Sequence, residues 1–241
     1  MDTITGTRSI AIPNLVEMVV ASTRLLGALS DLTDEDVRAA SLLPGWSRGH
    51  VVTHLARNAD AFCNLLHWAE TGEPHYMYPS REQRDADIEA GAGRSAHDLR
   101  VDASAACGRL IQAINELDVR HEDNLVAQAP GQPTFPARDI PTRRLIEVQV
   151  HHADLGIGYT NDDWDNAFCE LLLDRVAHDR TDGPSMLLRA TDTGREWKYG
   201  VEGPGPVVSG PACDLAWWAM ARGDGEGLTS DTELPALSKW R

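Results

Sequence analysis

Three side chains able to bind a metal or move a proton, His54, Glu147 and His151, recur at positions that helical spacing can bring together. Along 141–159, Leu145, Val148, Leu155 and Tyr159 form one apolar face, and Ile146, Val150, Ala153 and Ile157 form another. Between them runs a polar strip of Glu147, His151, Asp154 and Gly158. A carboxylate and an imidazole buried in such a strip cost several kcal/mol unless they are paired or hold a cation, on the order of the desolvation penalty for polar groups. Glu and His four residues apart on one helix lie one above the other and can chelate a single ion. The same spacing also describes an ordinary ion pair on a helix surface, and both readings stay open on spacing alone.

His54 comes from a second segment. In the stretch 47–70, Val52, Leu55, Ala59, Phe62 and Leu66 make one apolar stripe, with His54 and Asn58 on its flank and His50 turned further toward solvent. His54 with Glu147 and His151 makes a His2Glu donor set. Zinc accepts these ligands, and three protein ligands leave positions for water or substrate. A lone His54 is also compatible with a satisfied core histidine.

The elements that must position these residues are legible. Pro13–Leu29 is patterned as a helix, and Thr33 opens a short one with Asp36 as its capping-box partner. After the turn Pro44-Gly45-Trp46, Ser47 is an N-cap for a helix reaching Glu70, with Gly72 as terminator. Pro79-Ser80 opens a weaker helix through Ala90, and Ser95–Leu117 is a long one. The stretch 118–140, with its three prolines, reads as a loop carrying a small hairpin of Asn124–Ala127 and Thr134–Pro136. Pro141 then starts a helix running to Tyr159, where a missing N–H is tolerated. Four main helices fit a bundle. Beyond 160 the pattern changes to a helix (Trp164–Arg180), a hairpin (Ser185–Asp192 with Arg195–Gly200), a short strand (Val207–Ser209) and a helix (Pro211–Arg222) ended by Gly223. The fold class expected is α+β: a four-helix bundle over 1–160 and a small α+β domain over 161–241.

The chain of 241 residues is 42% hydrophobic and carries a net charge of −15. That charge disfavours nucleic acid and anionic membranes as partners, and an anionic substrate would need a local cationic patch. No apolar run approaches the roughly 18 residues of a membrane span. The N-terminus lacks a basic start followed by an apolar stretch, so the expected location is the cytoplasm. Cys63, Cys107, Cys169 and Cys213 form no CxxC pair and are expected to be small buried residues, not disulfides or zinc ligands.

Pro44-Gly45-Trp46-Ser47 followed by His50-Val51-Val52-Thr53-His54-Leu55-Ala56 resembles the N-terminal signature of mycothiol-dependent maleylpyruvate isomerases, and so does Asn64–Glu73. Glu147–Gly156 resembles the second metal motif of that family. Val207–Gly210, Ala221-Arg222-Gly223 and Leu228-Thr229-Ser230 resemble its C-terminal domain. The Gly-Trp…His-Leu element is shared with the broader DinB-like superfamily of metal-binding helical bundles, whereas the C-terminal elements are narrower.

The resemblance implies zinc bound by His54, Glu147 and His151, mycothiol as thiol cosubstrate, and Arg222 as a substrate-binding or catalytic guanidinium. The implied reaction is isomerisation of maleylpyruvate to fumarylpyruvate by thiolate addition, bond rotation and elimination. Asp154 and Asn58 are candidates for supporting the ligands, and Trp46, Asn58 and Arg84 for lining the pocket. A monomer is favoured. Two alternatives are a mycothiol-dependent S-transferase acting on another electrophile, and a non-catalytic helical binding module.

Overall fold

The computed structural model describes residues 12–180 and 183–238. The chain has two compact units, Met1–Gly158 and Tyr159–Arg241. It is α+β, helix-rich throughout with a small sheet in the C-terminal part.

In the first unit the helices are α1 (Leu15–Leu29), α2 (Asp34–Arg38), α3 (Arg48–Thr71), α4 (Arg81–Ala92), α5 (Ala96–Glu116) and α6 (Ile140–Asp154). Four of them close a ring: α1 packs on α6, α6 on α3, α3 on α5, and α5 on α1. Leu25, Phe62, Leu65, Leu110, Ile114 and Val148 fill its centre. α4 lies against α3. Between α5 and α6 a two-residue hairpin pairs β1 (Leu125–Val126) antiparallel with β2 (Phe135–Pro136).

Local chemistry sets the helix ends. Thr33 and Asp36 form a reciprocal capping box, while Ser80 and Ser95 cap α4 and α5. Ser47 caps α3, and the third residue completing its capping box is His50, whose Nδ1 accepts from the Ser47 N–H at 3.1 Å. That commits His50 to the helix start. Gly72, at φ 76°, ends α3 in the left-handed region. The close approach of α3 to α4 needs Gly49, because a Cβ there would stand 2.2 Å from the carbonyl oxygen of Ala92.

α6 stops at Asp154, five residues before the Tyr159 expected from its pattern. Gly156 and Gly158 take φ of 64° and 96°, which no continuing helix permits. The freed carbonyls find partners in the same unit. Asp154 accepts from the Leu42 N–H at 2.8 Å, and Leu155 and Gly156 accept from the Arg48 guanidinium at 2.9 and 3.1 Å. The end of α6 is therefore tied to the start of α3.

The second unit holds α7 (Asn166–Asp179), β3 (Met186–Ala190), β4 (Glu196–Tyr199), β5 (Val207–Gly210), α8 (Ala212–Ala219) and β6 (Thr229–Ser230). The sheet order is β4-β3-β5-β6, with β3 and β5 parallel and the other pairs antiparallel. The expected three strands gain a fourth, β6, whose two residues are too few to show periodicity. α8 ends at Ala219, so Arg222 does not close it as expected. Ala221 turns left-handed at φ 57°, and the Arg222 N–H bonds back to the Trp217 carbonyl at 3.2 Å.

The expectation of unpaired cysteines is corrected for two of the four. Cys169 on α7 and Cys213 on α8 are joined by a disulfide, with Cα atoms 5.0 Å apart. They lie 44 residues apart in sequence, and only the packing of α7 on α8 brings them together. Cys63 and Cys107 are free. Thiol titration of unfolded, unreduced protein should therefore find two groups, and four after reduction. Reduction should lower the unit's stability by about 2–4 kcal/mol, as for a loop of this length. Four thiols without reductant would contradict the pairing.

Candidate metal centre

α3 and α6 place the three expected donors together. His54 Nε2 is 3.1 Å and His151 Nε2 is 3.5 Å from the same Glu147 oxygen, Oε2. The two imidazoles meet edge to face with centroids 4.6 Å apart. One ligand atom from each of the three residues lies within 4.8 Å of the other two. Both Nε2 atoms thus converge on one carboxylate oxygen. Two imidazoles and one carboxylate are a donor set that zinc takes in catalytic sites, and the convergence fits a single ion.

His151 is oriented by a neighbouring carboxylate. His151 Nδ1 is 2.9 Å from Asp154 Oδ2, and Asp154 is fully buried. A carboxylate accepting the far N–H of an imidazole fixes the ring and its tautomer, and leaves Nε2 as the ligating atom. His54 Nδ1 faces the Arg84 guanidinium at 3.4 Å. The Trp46 ring meets His54 edge-on at 5.8 Å.

The electrostatics follow from burial and pairing. Burial pushes His54 down to about 4, against its hydrogen bond to Glu147, which raises it. Burial alone would raise Glu147, but hydrogen bonds from His151 and His54 outweigh it and hold the carboxyl well below its usual range. For His151, burial disfavours the cation, yet hydrogen bonds to Asp154 and Glu147 raise its pKa. Tyr78 is pushed up to about 12, first by burial and then by the charge on Glu147, so it remains a hydroxyl donor.

Asn58 is buried one turn beyond His54, where its Oδ1 accepts from Arg144 Nη1 at 2.6 Å. Asn58 is therefore engaged with Arg144. The sequence reading missed Arg144, the largest fully buried side chain among the described residues. A signal was present: Arg144 precedes Glu147 by three residues and extends the same polar strip one turn back. Tyr78, between α3 and α4, was also missed, and no periodicity marks it. Arg222 belongs to the second unit and is half-buried.

A four-helix bundle with two histidines and a glutamate converging between α3 and α6, followed by a small α+β unit, defines a class of helical-bundle protein with a candidate metal centre. Residues 20–156 match the family model of the mycothiol maleylpyruvate isomerase N-terminal domain, and the chain belongs to that family. Among solved structures, it is similar to a mycothiol-dependent maleylpyruvate isomerase at 29% identity, with a TM-score of 0.89 over 96% of this chain and 98% of the other. It is similar in the same measure, at 28% identity, to a mutant of such an enzyme in which a histidine is replaced by alanine. No curated protein sequence matches the chain.

Proposed function

We propose that this protein is a zinc- and mycothiol-dependent isomerase that converts maleylpyruvate to fumarylpyruvate. The observation that carries the reading is the convergence of His54, Glu147 and His151 within a chain that resembles such an enzyme over nearly its whole length.

The chemistry is simple in outline. A carbon–carbon double bond does not rotate at useful rates. Addition of a thiolate to one alkene carbon leaves a single bond, and the electron pair moves onto the conjugated ketone as an enolate. After rotation, the enolate returns its electrons and expels the thiolate, which restores the alkene in its trans form. Thiol is regenerated and acts catalytically.

When bound, zinc would supply a thiol in its deprotonated form at neutral pH, where a free thiol of pKa about 8.5 is mostly protonated. His54, Glu147 and His151 would hold the metal, and Asp154 keeps the His151 ring turned so that Nε2 points at the site. Arg222 is assigned to a carboxylate of the substrate, for which a planar guanidinium is suited. No helix among the described residues is long and apolar enough to cross a membrane.

The test follows maleylpyruvate with purified protein and a catalytic amount of mycothiol. Conversion of many equivalents per thiol supports the reading. Stoichiometric loss of thiol would instead identify an S-transferase. Arg222→Ala is expected to lower kcat/KM about 10- to 100-fold, as for loss of a charge-assisted pair, with zinc content unchanged. A fall in zinc would make Arg222 structural, and unchanged kinetics would remove its assignment.

A further inference from the structure

The segment leading into α4 brings two hydrogen-bond donors, Arg84 and Tyr78, to the edge of the cluster. Arg84, in the first turns of α4, sets Nη2 3.4 Å from His54 Nδ1 and carries its guanidinium carbon 5.9 Å from the centroid of the Tyr78 ring. The other end of the fork, Nη1, meets Asp85 Oδ1 at 2.7 Å. That partner is a half-exposed carboxylate, and an ion pair of this kind in solvent contributes little. A guanidinium has five N–H donors, so most of this one's capacity remains for a ligand.

Tyr78 adds an independent observation. Its hydroxyl is buried, and among the described residues no acceptor takes its proton; the polar group it feels is the Arg84 guanidinium, itself a donor. Native proteins rarely leave a buried polar group unsatisfied, and a hydroxyl beside a guanidinium still has its own proton to place. A neutral hydroxyl and a guanidinium are both donors, so the missing partner is an acceptor. In a protein of net charge −15, an anion reaches the site only where cationic groups collect it.

We propose that Arg84 and Tyr78 bind a carboxylate of the anionic substrate beside His54, Glu147 and His151. The inference rests on the isomerase reading above for the nature of the substrate. A dianion has two ends to hold, and one guanidinium fork matches one carboxylate. Arg84 therefore takes one end of the dianion. The Tyr78 hydroxyl donates to the carboxylate oxygen that the fork leaves open.

The experiment uses zinc-loaded full-length protein and succinate, a saturated dicarboxylate that cannot accept a thiolate. Succinate affinity is read by calorimetry, kcat and KM for maleylpyruvate by absorbance, and zinc by mass spectrometry. Arg84→Met is expected to weaken succinate and raise KM by about tenfold or more, with kcat less affected and zinc retained. Tyr78→Phe should shift both by about threefold, and Arg84→Lys should recover part of the loss. Wild-type protein that fails to bind succinate, Arg84→Met that binds it as tightly as wild type, or Arg84→Met that loses zinc would each overturn the inference. Arg84-dependent succinate binding without isomerisation leaves the carboxylate site standing and overturns the isomerase reading. Isomerisation with a KM untouched by Arg84→Met does the reverse.

Discussion

His54→Ala is expected to lose its bound zinc and to lower isomerase activity by roughly a thousandfold or more, the scale of several kcal/mol that a catalytic metal contributes. His54 is the sole donor from α3; Glu147 and His151 both stand on α6. Its loss leaves two ligands on one helix, one turn apart, facing an alanine across the bundle. Two donors in that arrangement resemble a helix-surface pair, which binds zinc weakly.

The measurement needs three parts. Metal content per chain should fall from about one equivalent to near zero, circular dichroism should keep its helical signal, and activity should vanish. Chelation of the wild type should reproduce the loss, and added zinc should restore it in the wild type but not in His54→Ala. Wild-type protein that isomerises at full rate after metal removal would end the zinc reading. A His54→Ala variant that keeps one zinc would show that the ion sits elsewhere.

Which features were legible in advance follows from the range of the interactions. Ser47, Thr33 and Ser80 announce helix starts because a capping side chain acts within three residues of itself. The His54–Glu147–His151 set was legible because each histidine lies on the margin of an apolar stripe, and a 3.6-residue period fixes which way that margin faces. His50 could be set aside on the same argument, and its capping role gives the physical reason.

What escaped was set at a distance or by single backbone angles. The end of α6 depends on two glycines taking positive φ, and hydrophobic periodicity runs straight through them to Tyr159. The Cys169–Cys213 bond depends on how α7 lies on α8 across 44 residues. Cys169 is fully buried, which shields that sulfur from solvent thiols. Tyr78 sits in a connection with no period to read. Arg144 was hidden for a different reason: a long charged side chain is usually assigned to solvent, yet here its stem and head are both enclosed.

Arg144→Ala is expected to destabilise the N-terminal unit by about 3–5 kcal/mol, combining the cavity left by a large buried side chain with the loss of its hydrogen bonds. For a unit of this size that corresponds to a fall in melting temperature on the order of 10 °C. Arg144 Nη1 donates to the Leu55 carbonyl at 2.9 Å and to Asn58 Oδ1 at 2.6 Å, and Nη2 lies 3.7 Å from Cys107 Sγ. One side chain on α6 thus engages α3 on both sides of the turn after His54 and reaches α5. It fixes how α6 lies along α3, and that alignment puts His54 opposite Glu147. Arg144→Met keeps most of the apolar stem and removes the charge, so it should cost less than the alanine variant. Both variants should bind zinc more weakly, because the donors on α3 and α6 lose their common reference. Thermal melts and zinc titrations of the two variants check this together. An alanine variant that melts with the wild type would show that the core does not depend on Arg144. A destabilised variant with wild-type zinc affinity would show that the His54–Glu147–His151 alignment is held by the Arg48 contacts at the end of α6 instead.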